Sequence, residues 1–308
     1  MAKTTLRVSI DFDDRAVRYV AVNGTDAGAV TAFGERRLPP GVIKNGKVAN
    51  RRKLTDILKK CAKAWRIKRQ AVRFHVPDAF VFLRSVDIPE HIQEEEIKSH
   101  LYMEMAASLP LPFEDPIFDY IPLENHKILL VASSRAIVAD YAEALRKAGL
   151  KPIAADITPL SFYRLLHARG IAEPDEHILC VGLHRHMMNV SIFHDDKPLF
   201  IRQFLGTYVI ALGTEAAYNE DEKDALAEIE RVLHFYRYTI QRGEAGITKI
   251  VLLSDSDHVD LRDADPILSA ALGVPVKTLQ SSDFPTETAG PIPETCLLAL
   301  GLALREDD

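Results

Sequence analysis

The sequence predicts an α/β chain of two lobes built by internal duplication, on three observations. A strand–turn–strand–turn–strand meander followed by a helix begins near residue 6 and begins again near residue 178. Between the two copies lies an independent-looking α+β stretch, 79–152. The length of 308 residues suits two domains or one bilobed one and easily buries a sizeable core. Duplication of this kind is the arrangement of the two-lobed, RNase H-like actin fold, in which a nucleotide lies in the cleft between lobes.

In the first copy Leu6, Val8 and Ile10 alternate, Asp11 to Asp14 form an acidic turn, and Val17, Tyr19 and Ala21 alternate back. Asn23-Gly24 is a hairpin signal before the strand at Val30 to Phe33. Pro39-Pro40-Gly41 ends the unit. A helix follows from Arg51 to Trp65, with Leu54, Ile57, Leu58, Cys61 and Trp65 spaced by three and four. The second copy places strands at Ile178 to Leu183, Asn189 to Phe193 and Leu199 to Phe204, then a helix over Glu220 to Gln241.

The intervening stretch starts with a strand, Phe80 to Ile88. A helix over Glu90 to Leu109 carries Glu94, Glu95 and Glu96 near its N-terminus, where carboxylates favour the helix dipole, and Pro110 and Pro112 stop it. Strands at Phe118 to Leu123 and Ile128 to Ala132 precede a helix over Arg135 to Ala148. Gly149 marks its end, and a strand runs from Ile153 to Asp156. The expected organisation is a first lobe over 1–78, an inserted α+β subdomain over 79–152, a return segment over 153–176 and a second lobe over 177–308.

Composition excludes several classes. Hydrophobic content of 47% with 27% charged residues is that of an ordinary globular protein. The longest uncharged apolar run, Cys296 to Leu304, falls short of the roughly 18 residues a bilayer span needs. The N-terminus has no apolar signal segment, so a cytoplasmic location is expected. Cys61, Cys180 and Cys296 form no CxxC pair, which argues against disulfides and thiolate metal sites. Residues 1–80 carry 18 Lys/Arg against 7 Asp/Glu, and residues 81–308 carry 20 against 37, so the two parts bear charges of +11 and −17.

The first hairpin turn, Asp11-Phe12-Asp13-Asp14-Arg15, holds three carboxylates and no glycine, with Arg15 and Arg18 as partial offsets. It reads either as a Mg²⁺ and phosphate site or as a solvated acidic turn. In the second, His184-Arg185-His186, alternate histidines of a strand would share a face and offer two metal ligands, but no third is marked; no metal is expected. Ser254, Asp255 and Ser256 follow a buried strand and suit either an adenosine pocket or a plain turn. From Arg51 to Arg69 nine Lys/Arg face only Asp56. Lys59, Lys60, Lys63 and Arg66 make a basic face for anionic lipid or an acidic protein, or a solvated helix side. The stretch's one aromatic, Trp65, falls on the apolar face by its spacing, so no nucleic acid is expected. No Ser/His/Asp set or Walker loop is present.

Six blocks in register resemble the PilM family, the actin-like proteins of type IV pilus and related secretion machinery. They begin with VSIDFDDRAVRYVAV (8–22) and GVIKNGKVANRRKLTDILKK (41–60), the second similar to the family's hairpin and helix. The most specific is VDIPEHIQEEEIKSHLYMEMAASLPLP (86–112), continued by KILLVASSRAIVADYAEALRKAGLKPIAADITPLSFYRLL (127–166). LAEIERVLHFYRYT (226–239), LGVPVKTL (272–279) and LALGLALRE (298–306) complete the order.

The resemblance implies nucleotide turns that this chain fills differently. Where the family's first turn has glycine stands Asp13, and its small hydroxyl positions are Asp14 and Arg15. The second turn reads Gly182-Leu183-His184, and the adenosine turn Ser254-Asp255-Ser256; Asp11 and Glu228 remain. Added Cβ atoms and carboxylates disfavour phosphate, so no cofactor is expected and catalysis is not. The implied function is a non-catalytic scaffold at the cytoplasmic face of the inner membrane, reached through partners. Its groove, over residues 86–150 and the first lobe, would take an extended tail of roughly ten residues from a PilN-like membrane protein. Glu94, Glu95, Glu96, His100 and Tyr102 would form the polar margin, over Leu101 and Met105. Motor ATPases, a platform protein, anionic lipid and self-association are further partners. Two other classes stay open: a live actin-like ATPase using ATP and Mg²⁺, and a polymerising or lipid-associated module similar to FtsA.

Overall fold

A computed structural model of the chain describes residues 6–107, 111–210, 222–255, 261, 264–286 and 289–306. The strands of the first meander are Leu6–Phe12 (β1), Ala16–Asn23 (β2) and Val30–Arg37 (β3), neighbours in that order. A small hairpin, Ile43–Lys44 (β4) and Lys47–Val48 (β5), turns through Asn45 and Gly46, both left-handed at φ 50° and 72°. Arg51–Ala64 (α1) begins at Asn50, whose side chain accepts from the Lys53 N–H at 2.9 Å. Its inner face is Leu54, Leu58, Cys61 and Ala62. Ala71–His75 (β6) follows.

Next come Val81–Asp87 (β7), Glu94–Ala107 (α2), Pro116–Pro122 (β8), Lys127–Ser134 (β9), Arg135–Lys147 (α3) and Lys151–Asp156 (β10). Helix α2 starts four residues after the expected Glu90. Pro89 to Ile92 forms a turn, and the Gln93 N–H donates to the Glu96 carboxylate at 3.1 Å. The expected end at Leu109 lies outside the described residues.

Thr158–Ala168 (α4) precedes the second meander, Ile178–His184 (β11), Met187–His194 (β12) and Lys197–Leu205 (β13). Thr207–Val209 (β14) and Glu222–Asp224 (β15) pair in parallel. The helix expected from Glu220 starts at Ala225 and runs to Phe235 (α5), because the Asp224 carboxylate caps the Leu226 N–H at 2.8 Å; Glu220 itself lies outside the described residues. A π turn over Tyr236–Ile240 continues it. Lys249–Ser254 (β16), Asp265–Leu272 (α6), Val276–Thr278 (β17) and Leu297–Ala303 (α7) complete the chain.

By packing the chain forms two compact units. One takes in the chain up to Asp11, Arg18–Glu35 and everything from Thr158; the other takes in Phe12–Val17 and Arg36–Ile157. In the first unit a sheet of order β13-β12-β11-β16-β17 lies between two helical layers. One face, with Cys180, Phe193 and Val251, packs on α4 and α7. The other, with Val181, Ile192 and Leu252, packs on α5 and α6. Helices α4 and α7 cross where a methyl on Gly301 would collide with the Ser161 carbonyl oxygen. In the second unit β6 and β10 pair in parallel, and α1 packs on α3, joined by Arg51–Asp140 at 2.7 Å. The inserted sheet, β7-β9-β8, and α2 share a small core of Ile88, Leu101, Ile128 and Leu130. Each meander is thus followed by a helix and then by two strands that pair in parallel, β6 with β10 and β16 with β17.

Candidate functional site

The first unit gathers five of its charged residues around the ends of β1 and β11. Arg18 projects from β2 into the interior, where its Nε donates to Glu35 at 2.8 Å and its guanidinium stands 3.5 Å from Asp11. All seven residues Ala16 to Val22 are buried, so this cation is held in a dry setting by two carboxylates. His184 Nδ1 lies 2.9 Å from the Asp255 carboxylate. Burial pushes the Asp255 carboxyl up, but His184 beside it and then Arg18 outweigh that and hold it below the ordinary range, with Asp11 opposing. Three carboxylates therefore share one guanidinium and one imidazole. A polyphosphate arriving here meets a surplus of negative charge.

The second turn departs from the two-histidine expectation. Strand β11 runs through His184, which pairs with Met187. Arg185 and His186 form the two-residue loop between them, so the histidines are not alternate residues of one strand, and His186 faces solvent. Among the described residues no group of three or more His, Cys, Asp or Glu could hold a metal ion. Gly182 also serves a local purpose: a Cβ there would stand 3.0 Å from His184 Nε2, so the glycine makes room for the imidazole. Beside it is a cavity of about 10 Å³, lined by Thr158, Gly182, His184, Asn189 and Ser191, with room for about one water. Ser254 Oγ donates to the Leu183 carbonyl at 3.3 Å. Ser256 lies outside the described residues. Glu228, on α5, is ion-paired to Arg231 one turn on.

In the second unit the acidic turn is bonded to backbone N–H groups of the chain, with Asp13 and Asp14 half-buried. Asp13 Oδ1 accepts from the Arg15 and Ala16 N–H groups at 2.5 and 2.7 Å, a side-chain turn that mimics a backbone one. The Asp14 carboxylate accepts from Asn45 at 2.6 Å and Gly46 at 2.9 Å. Those two left-handed residues present successive N–H groups as a nest, the concavity that elsewhere receives an anion. Here the chain supplies its own anion. Tyr141 donates to the Gly46 carbonyl at 2.8 Å and stacks obliquely on Phe12, which fixes hairpin and turn together. Arg15 is exposed.

Helix α2 has apolar residues on two sides. Leu101 is fully buried, and Ile97 and Met105 pack with it on the insertion's core. Outward stand Tyr102 and Met103, 55% and 66% exposed; on β8, Phe118 and Tyr120 turn to the insertion's core, so Ile117, 38% exposed, belongs to the other face of that strand. Tyr102 meets Phe118 edge-on at 4.7 Å and hydrogen-bonds Arg135, itself paired to Asp115. Glu94, Glu95 and Glu96 are exposed and His100 is half-buried. Met103 is a residue the sequence motifs miss; its signal is a helix whose apolar residues overfill one stripe, Ile97, Leu101, Tyr102, Met103 and Met105 together. The partnership of Arg18 with Glu35 left no sequence signal, because cross-strand register decides it.

The basic residues Lys59, Lys60, Lys63 and Arg66 are all exposed. The three cysteines are buried and unbridged, and burial pushes the Cys61 and Cys296 thiols up to about 11. That makes them poor nucleophiles. Among the described residues no helix is long and apolar enough to cross a membrane.

The duplicated meander-and-helix plan with an α+β insertion defines an actin-like fold. A solved "PilM-PilN type IV pilus biogenesis complex" chain superposes at a TM-score of 0.75 with 21% identity, over 98% of each chain. The cytoplasmic domain of EpsL, an inner-membrane component of the type II secretion system of Vibrio cholerae, matches at 0.54 and 11% identity, over 99% of this chain and 97% of that one. The ethanolamine utilization protein EutJ from Carboxydothermus hydrogenoformans matches at 0.51 and 13%, over 97% and 89%. The model of the family "Type IV pilus assembly protein PilM" matches residues 9–231, and the chain belongs to that family.

Proposed function

We propose that this protein is a non-catalytic adaptor of a type IV pilus or related inner-membrane assembly complex, which captures the cytoplasmic tail of a PilN-like membrane protein on its inserted subdomain. The observation that carries this reading is the exposed pair Tyr102 and Met103 of α2, above a well-packed core, with Arg135 bonded to Tyr102 and the exposed Glu94–Glu96 carboxylates on the same helix. An extended peptide needs such a mixture of apolar contact and fixed polar anchors. Family membership and the PilN named in the solved relative's complex support a PilN-like protein as the source of the tail. The non-catalytic part rests on the turns: Asp14 fills the nest of Asn45 and Gly46, and Arg18 is committed to Asp11 and Glu35. ATP with Mg²⁺ then binds no tighter than about millimolar, since the unmet Coulomb and desolvation costs are several kcal/mol. Calorimetric titration with Mg-ATP tests this. Micromolar binding, weakened by Asp11→Ala, would instead show a working nucleotide site, and phosphate release would then test for an ATPase.

A further inference from the structure

Helix α1 and the turn after it form a strongly basic surface of the second unit. Arg52, Lys53, Lys59, Lys60 and Lys63 are exposed along the helix, and Asp56, 3.7 Å from Lys59, is the segment's one acidic side chain. Arg66, Lys68 and Arg69 extend the same surface past the helix end.

Two of those cations stand where backbone physics prefers glycine. The α1 terminus is a Schellman arrangement: the Ile67 N–H donates to the Ala62 carbonyl at 3.1 Å and the Arg66 N–H to Lys63 at 3.3 Å. The left-handed residue of that motif is Arg66, at φ 58°. The next turn, closed by the Gln70 N–H on the Ile67 carbonyl at 3.2 Å, has Arg69 at φ 64°. The neighbouring helix α3 ends in the same motif, Leu150 to Leu145 and Gly149 to Arg146, with glycine in the left-handed place at φ 85°. The two ends adjoin, since the Arg69 N–H donates to the Gly149 carbonyl at 2.8 Å. The second end adds Arg146, Lys147 and Lys151, all exposed, with Lys147 paired to Glu143. Holding arginine in a conformation that disfavours a side chain points to a use for the side chain.

We infer that this surface adsorbs the protein electrostatically to a membrane bearing anionic lipid headgroups. A protein partner would need a buried aromatic or aliphatic anchor, and no large apolar side chain among residues 51–70 is exposed. A nucleic acid would need several exposed stacking aromatics, and the stretch has one aromatic, Trp65, which is half-buried. Lysines on flexible stems spread over a helix suit the diffuse potential of a lipid surface, where each adds about fivefold to adsorption. The attachment goes beyond tail capture and needs no partner protein.

The test is co-sedimentation of the full chain with vesicles of phosphatidylcholine, alone and mixed with phosphatidylglycerol. Adsorption to the anionic vesicles at low salt, lost as the Debye length falls from about 30 Å at 0.01 M to 3 Å at 1 M, is expected. The double variant Arg66→Gly/Arg69→Gly relieves the left-handed strain, so its melting temperature holds or rises while vesicle partitioning falls about 25-fold. Reversal of Lys59, Lys60, Lys63 and Arg66 to Glu abolishes adsorption. No adsorption at low salt, equal adsorption to phosphatidylcholine alone, or unchanged partitioning of the glycine variant overturns the inference. So does capture by polyglutamate or duplex DNA with vesicles left unbound. Because the vesicles hold no protein, none of these outcomes bears on tail capture.

Discussion

Among single residues, His184 and Asp255 have the most to reveal. Their 2.9 Å contact in a mostly buried setting is charge-assisted, and losing it leaves a desolvated group unmatched. Asp255→Asn is expected to cost about 2 kcal/mol near neutral pH, read from urea denaturation. The carboxyl's folded value lies below its unfolded one, near 3.9. Its contribution is therefore complete above about pH 4 and fades as the pH falls through the folded value, so wild type and variant converge in acid. A gap that persists there would mean packing, not charge, is lost. Gly182→Ala would press on the same imidazole, costing about 1–3 kcal/mol. If it leaves stability untouched, the glycine is not there for His184.

For elements, legibility followed local period. The meander strands alternate, and α1 and α3 have one apolar stripe, so their sequences announce them. Helix α7 had no such stripe: from Leu297 to Ala303 every residue is buried, so nothing alternates, and only its failure to span a bilayer could be read. Strand β6 and helix α4 passed unnoticed for the same reason, being buried segments between stronger signals. The site was less legible than the fold. Acidic residues at 11–14 are visible in sequence, but that Asp14 would cap a hairpin thirty residues on depends on tertiary placement. Gly301→Ala, at the α4–α7 crossing, is expected to cost at least about 3 kcal/mol in thermal or urea melts, since backbone cannot yield as a side chain can. Leu101→Ala should cost about 2–5 kcal/mol. Hydrogen exchange would show that loss confined to residues 79–152 if the insertion opens on its own, and spread across the chain otherwise.

At the scale of the whole molecule, the duplicated fold holds a first turn whose carboxylates bond to N–H groups of the chain itself. The first 80 residues are strongly basic and the rest acidic, so the two parts of the chain bear opposite charge. In this account the adaptor role needs no nucleotide: carboxylates of the chain occupy the donors, and the insertion offers the contact surface. The most direct test is calorimetric titration of the full chain with a synthetic PilN-like cytoplasmic tail, with and without Mg-ATP. Repeating it with Tyr102→Ala/Met103→Ala, two exposed positions whose loss leaves the core intact, locates the contact. The account predicts binding that is indifferent to ATP and falls at least tenfold in the double variant, about 1.4 kcal/mol. Binding that appears only when Mg-ATP is present, or that the double variant leaves unchanged, would contradict it.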